Sequence, residues 1–209
     1  MFHISRMTLR RPFLLAAPAL LLAGTARAQD AEAIRRVEAY FNALTTLKAR
    51  FLQVSQTGGS AEGTAWIWRP SRMRFEYDPP EPLLLVAAHG QFFYFDKAMK
   101  QATTLPLSAT PLGLLLRDNL RLSGEVTVSR VERNGGLVGV TLFRTGQAAE
   151  GRLTLVFDSQ SMELKQWVVL DAQAQQTRVS LYQPEYGGRF PNLLFDFNDP
   201  RFREELGVQ

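Results

Sequence analysis

Apolar and polar positions follow two different periods along this chain. After Asp30, the apolar residues Ala33, Ile34, Val37, Phe41, Leu44 and Leu47 recur at helical spacing, opposite Glu32, Arg35, Arg36 and Glu38. The spacing predicts an amphipathic helix of about five turns, with Asp30 as its N-cap. From Arg50 the period drops to two. Strands are predicted at 51–56, 64–68, 72–77, 83–87, 92–96, 101–104, 126–132, 138–144, 153–157, 164–170 and 176–182, with a last short strand or extended edge at 193–197. Turns of hairpin length separate them, so the sheet is expected to be antiparallel. Pro200 is read as the stop, and 201–209 as a charged tail that frays.

The hairpin around Arg69 is the informative part of the pattern. Met73, Phe75 and Tyr77 share one strand face, while Arg72, Arg74 and Glu76 share the other. Continued across the turn at Pro70-Ser71, the apolar face takes in Ala65, Ile67 and Arg69. A guanidinium is costly to bury unless its donors are matched. Either the turn carries Arg69 out to solvent, or the arginine guards the rim of an apolar surface.

One segment breaks the β pattern. In 108–118, Thr110 is placed to cap and Pro111 to open a helix whose body, Leu112, Leu114, Leu115 and Leu116, is apolar on most sides. Such a helix must cover something. Helices at the start and middle of a long meander fit against a concave sheet face. The expected fold is therefore mainly β with helices.

Composition changes the picture at the N-terminus. Arg6, Arg10 and Arg11 precede an apolar run at 13–24, and Ala26-Arg27-Ala28 is a small-x-small site. Residues 1–28 are expected to be a cleaved signal peptide, exported by the general secretory route or, given Arg10-Arg11, by the twin-arginine route. Residues 29–209 are expected to form a single domain. Removing the signal takes four of 24 basic residues and none of the 20 acidic ones, so the exported chain is formally neutral. The pI of 9.7 then describes mainly the signal. A neutral chain lacks the basic field that nucleic acid requires. No later segment is long and apolar enough to span a bilayer.

The chemistry is mostly absent. The sequence contains no cysteine, which excludes a thiol nucleophile, disulfides and a lipid-modified N-terminal cysteine. His89, in a turn beside Gly90, lacks the oriented partners that a catalytic triad needs. No Gly-x-Ser-x-Gly elbow, phosphate loop or set of zinc ligands occurs. Carboxylates at Glu76, Asp78, Glu81 and Asp96 cannot be paired across a cleft from sequence alone. Neither an enzyme nor a metal or other cofactor is expected. The abundant feature is apolar surface: 14 Phe, 5 Tyr and 3 Trp. Trp66 and Trp68 lie opposite the Ile67 face, and Phe92 to Phe95 puts bulky groups on both faces of one strand. Such surface suits acyl chains, since each buried methylene contributes about 0.8 kcal/mol.

The motifs together resemble the periplasmic outer-membrane lipoprotein carrier family, LolA. They run Phe51-x-Gln53, Gly63-x-x-Trp66-x-x-Arg69-Pro70, Phe75-Glu76-Tyr77, Pro82-Leu83, the turn glycine Gly90 and the aromatic strand ending in Asp96. Gln101 with its threonines, Thr110-Pro111 with Leu115-Leu116, and Phe195-x-Phe197-x-x-Pro200 complete the series. The resemblance implies an incomplete, half-open antiparallel β-barrel of about eleven strands, with a helical lid over a hydrophobic cavity. It implies that acylated lipoproteins arrive from an inner-membrane ABC transporter and leave for an outer-membrane receptor, with the carrier a periplasmic monomer. It makes Arg69 the lid latch. Thr110, Pro111, Leu114 and Leu116 become the lid helix, and Ile67, Met73, Phe75, Tyr77, Phe93, Leu112 and Leu115 the acyl-chain cavity. The related outer-membrane receptor is itself a lipoprotein, which the missing cysteine argues against. This chain departs from the family pattern at His89, where an acidic residue commonly precedes the turn glycine, and in its charged C-terminal tail. A carrier of glycolipid or hopanoid-type lipid, a secreted hydrolase and a structural envelope protein remain the alternative readings.

Overall fold

The computed structural model describes residues 20–207. The basic run at Arg6, Arg10 and Arg11 and much of the apolar run after it lie outside the described residues. So do the last two residues of the predicted tail. Helix α1 spans Leu20–Ala43 and passes through the small-x-small site without a break. Asp30 is therefore inside the helix rather than at its N-cap, and its carboxylate accepts from Arg133 at 2.8 Å. Ala33, Val37 and Phe41, four residues apart, are the buried stripe of α1. Leu47, assigned to the same stripe, begins the sheet instead.

One continuous antiparallel sheet follows. Its first half is a meander: β1 (Thr46–Ser55), β2 (Ser60–Trp68), β3 (Arg72–Tyr77), β4 (Leu83–Ala88), β5 (Gln91–Asp96) and β6 (Gln101–Pro106). Its second half is another: β7 (Val126–Asn134), β8 (Leu137–Arg144), β9 (Gly151–Asp158), β10 (Leu164–Asp171) and β11 (Gln176–Tyr186). Pairing of β1 with β11 joins the halves into eleven strands in the order β6-β5-β4-β3-β2-β1-β11-β10-β9-β8-β7. β6 and β7 lie at the two ends of this order and do not pair, so the barrel stays incomplete, as the family resemblance implied.

The two faces of the sheet carry separate cores. The concave face gathers Leu47, Ala65, Ile67, Met73, Phe75, Tyr77, Phe92, Leu155, Trp167 and Val179 under α1 and the segment that joins β6 to β7. Gly63 fits this packing because it has no side chain. A Cβ there would lie 2.2 Å from the Glu76 carbonyl and 2.6 Å from the Phe51 ring, and that ring packs 4.9 Å from Phe75 and 5.0 Å from Tyr77.

The outer face of β2–β5 is covered by the chain's own C-terminus, which corrects two expectations. Residues 193–197 are not a strand: Asn192–Leu194 is a single 3-10 turn. Pro200 does not stop an element but opens one, helix α2 (Pro200–Glu205), with Asp199 as N-cap accepting from the Arg201 amide. The tail is pinned because Phe195, Phe197 and Phe202 are buried against Leu84, Val86, Phe93 and Phe95. Arg74 adds a 3.0 Å donation to the Leu194 carbonyl and stands over the Phe202 ring.

Candidate functional site

The concave apolar row and the strap over it form the candidate site. β2 and β3 are set in register by the hairpin, so Ile67 pairs with Met73 and Ala65 with Phe75. Ile67, Met73, Phe75 and Tyr77 are 1–4 % exposed and belong to one apolar cluster with Leu115, with Leu112 at its margin. Phe93 does not join them. It lies on the outer face, stacked 5.0 Å from Phe197. Because 92–95 is bulky on both faces, periodicity could not choose between them, and the concave position belongs to Phe92.

The cavity implied by the family resemblance is filled in this arrangement. Phe51, Trp167 and the strap leucines occupy the space over the row, and Phe75 meets the Trp167 ring edge-on at 5.8 Å. Tyr77 donates to Gln53 at 2.7 Å, and burial pushes its phenol pKa up. A hollow of about 480 Å³ beside Trp68, Arg69, Ser71, His89 and Asp196 opens at the Arg69 end of the row, and another of about 440 Å³ beside Arg36, Arg133 and Met162 touches none of Ile67, Met73, Phe75 and Tyr77.

The strap is not the α-helix expected from Thr110-Pro111. Two 3-10 turns, Leu107–Ala109 and Pro111–Leu114, replace it. Thr110 does cap the second turn, accepting from the Gly113 amide, and Pro111 sits at its start. The reason for the difference is geometric. Leu114, Leu115 and Leu116 are all buried, at 1–3 % exposure. Successive residues of an α-helix point about 100° apart, so a helix lying on the surface could not bury three in a row. An irregular strap can.

Polar contacts hold the strap to three other elements. Arg69 is buried, and its guanidinium donates to the Phe41 carbonyl at the end of α1 and to the Arg117 carbonyl of the strap. The last carbonyls of a helix lack intrahelical partners and favour a cation, so Arg69 is matched to both. Its Nε finds no partner. Burial lowers the Arg69 pKa, and nearby Asp118 works against that shift. Asn42 of α1 makes a two-way pair with Leu120, donating at 3.1 Å and accepting at 2.8 Å. Glu38 accepts from the Leu122 amide at 2.6 Å. The Ser71 amide donates to Leu116 at 2.9 Å, and Arg144 of β8 reaches the Thr110 carbonyl at 3.3 Å. Sequence reasoning found Arg69 but missed Asn42, Glu38, Ser71 and Arg144. Asn42 and Glu38 are one turn apart on the polar side of α1, where polar residues carry no signal of their own.

The remaining candidates for chemistry stay apart. His89 sits 3.2 Å from Asp196 at the outer rim, about half exposed. Asp78 pairs with Arg50, and Glu76 with Arg74 and Lys97. No group of His, Cys, Asp or Glu able to hold a metal occurs among the described residues.

An eleven-strand open sheet, an apolar concave face and a strap hydrogen-bonded to a buried arginine describe a fold with known relatives. The family model of the outer membrane lipoprotein carrier protein LolA matches residues 42–198. This chain belongs to the LolA family. The outer-membrane lipoprotein carrier protein of Azotobacter vinelandii is 29% identical over 208 residues, spanning 93% of this chain and 96% of the relative. That of Pseudomonas aeruginosa strain UCBPP-PA14 is 26% identical over 187 residues, 85% of this chain and 89% of the relative. Among solved structures, a DUF1329 family protein from Desulfovibrio piger superposes with a TM-score of 0.50 at 9% identity, covering 82% of this chain and 97% of that one. The LolA match takes in the Arg69 hairpin, β6 and the strap, the elements on which the site is built.

Proposed function

We propose that this protein is a periplasmic carrier that binds the acyl chains of lipoproteins released from the inner membrane and hands them to an outer-membrane receptor, without chemistry of its own. The observation that carries the reading is the placing of Arg69: a buried guanidinium with one unmatched nitrogen, tying the strap and the end of α1 together over a continuous apolar face. Membership of the LolA family and the named relatives support the same reading. No described helix is long and apolar enough to cross a membrane.

In this reading the structure is the closed state. Opening breaks the Arg69, Asn42, Glu38, Ser71 and Arg144 contacts, each worth about 1–3 kcal/mol net, and uncovers Ile67, Met73, Phe75, Tyr77, Phe92, Leu112 and Leu115. Acyl chains replace the strap leucines over that face. At about 0.8 kcal/mol per methylene, long acyl chains offset the broken contacts. Closing the strap again then helps expel the cargo to a receptor with a competing apolar surface. Donor and receptor would be an inner-membrane lipoprotein-releasing ABC transporter and an outer-membrane lipoprotein receptor. The signal at 1–28 and its cleavage belong to the same reading.

The test is transfer of a fluorescent triacylated lipoprotein between donor and acceptor membranes by the purified protein and by Arg69→Leu. The wild type should accept and release cargo. The variant should fold and accept, but release several-fold more slowly, because its strap no longer returns. Wild-type transfer by the variant would remove the latch, and no uptake by either protein would remove the carrier function.

A further inference from the structure

The sheet has two free edges, and they differ. β7 is interrupted by a bulge between Val128 and Arg130. It also carries Arg130, paired with Glu132 at 3.1 Å, and Arg133, which donates to Asp30 and to the Gln29 carbonyl. Bulges and charges of this kind keep foreign strands off an exposed edge. β6 has neither. Gln101–Pro106 holds no charged residue, and five of its six residues are exposed. It pairs with β5 in unbroken register from Asp96↔Gln101 to Gln91↔Pro106. Beyond β5, no backbone hydrogen bond reaches residues 101–106 among the described residues.

The position of this edge matters as much as its chemistry. The strap begins at Leu107, the residue after β6, so β6 borders whatever the strap uncovers. Leu105 pairs with Phe92 and packs on the concave core. Thr103 and Gln101 follow on the same face by the two-residue period. A strand laid along β6 would therefore extend the concave face by one strand.

We propose that β6 is a docking edge for an extended polypeptide, and that its occupant is the stretch of cargo polypeptide adjoining the acyl chains. The inference rests on the carrier reading above. Chains entering where the strap lifts leave their polypeptide at the strap's root, beside Pro106. Pairing through main-chain groups requires little of the partner's side chains, so one neutral edge can serve cargo proteins of unrelated sequence. The exposed threonines and alanine of β6 add no charge that would select among them.

The experiment is amide hydrogen exchange on the full chain with three synthetic ligands. One is a triacylated cysteine carrying a ten-residue Ser/Thr/Gly tail. The second is the same acylated cysteine without a tail. The third has the tail with a backbone N-methylated at alternate residues. All three should speed exchange across 107–122. Only the first should slow the outward amides of 101–106, on the order of tenfold or more. If the tailed ligand binds and opens the strap while 101–106 is unchanged, the docking edge is wrong and the carrier function survives. Equal slowing by the N-methylated tail would mean steric cover rather than strand pairing, and would also overturn it. If no ligand binds, the carrier reading fails and takes this one with it. Concentration-dependent protection of 101–106 in the ligand-free protein would assign the edge to a second copy of the chain instead.

Discussion

Gly63 and Phe51 fit closely in the concave core, and the consequence is specific. Gly63→Ala would press a methyl group against the Glu76 carbonyl and the Phe51 ring. The backbone carbonyl cannot swing away as a flexible side chain would. A loss of about 2–3 kcal/mol is expected, read as a lower urea midpoint at unchanged slope. Glu76 makes a pH-dependent contribution from the other face. Burial raises its pKa, but hydrogen bonds from Arg74 and Lys97 outweigh that and hold it below the usual glutamate range. A depressed carboxyl pKa means stability that is present above the unfolded value and lost as pH falls through the folded one. Unfolding free energy should therefore decline below about pH 4.5, the ordinary value for this side chain. Glu76→Gln should flatten that acid limb while leaving the neutral-pH fold in place. An acid limb of wild-type steepness in the variant would show that Glu76 is not the group responsible.

Among the elements, the strap and α2 are held by different forces. The strap's leucines are buried, but its position is set by hydrogen bonds to α1, the β2–β3 hairpin and β8. Asn42→Ala leaves both the amide and the carbonyl of Leu120 without a partner. The expected cost is about 1–3 kcal/mol, confined to the strap. Exchange of the Leu120 amide should accelerate while the strands of the sheet keep their protection. α2 depends on packing instead. Phe202 is 1 % exposed between Arg74 and Phe93, and Phe202→Ala should cost about 3–5 kcal/mol. Limited proteolysis should then cut after residue 187, and an apolar dye should bind the uncovered Phe93 and Phe95. An uncut C-terminus would show that Phe195 and Phe197 suffice to hold the segment. The strap and α2 also mark where sequence reading of elements stopped. Thr110-Pro111 and Asp199-Pro200 are both cap signals, and both do open a turn of helix. How far that turn continues depends on which side chains find a core beneath them, and that is not written locally.

At the scale of the molecule, uptake of acyl chains and opening of the strap should be a single event. The chain has no cysteine, so a reversible clamp can be introduced cleanly. Asn42→Cys with Leu120→Cys joins α1 to the strap at a contact that already exists. Oxidised, the double variant should bind no acylated ligand. Reduced, it should regain binding, on a strap loosened by the loss of the Asn42 hydrogen bonds. Binding by the oxidised form would mean that the chains enter somewhere other than under the strap.

Local sequence by itself determined the first helix, the succession of strands, the hairpin that presents Arg69, and the apolar row of Ile67, Met73, Phe75 and Tyr77. Each of these follows from a repeat of about two or 3.6 residues, or from a turn residue at a fixed place, and such signals need no distant partner. Only the tertiary structure decided which face of 92–95 meets the concave core, because a strand apolar on both sides reads the same in either orientation. It alone decided that the outer face is covered by Phe195, Phe197 and Phe202 rather than left for a partner. It also decided that Arg69 faces two carbonyls rather than solvent. Those outcomes depend on residues dozens of positions apart meeting across the sheet, and periodicity within one segment carries no record of what will pack against it.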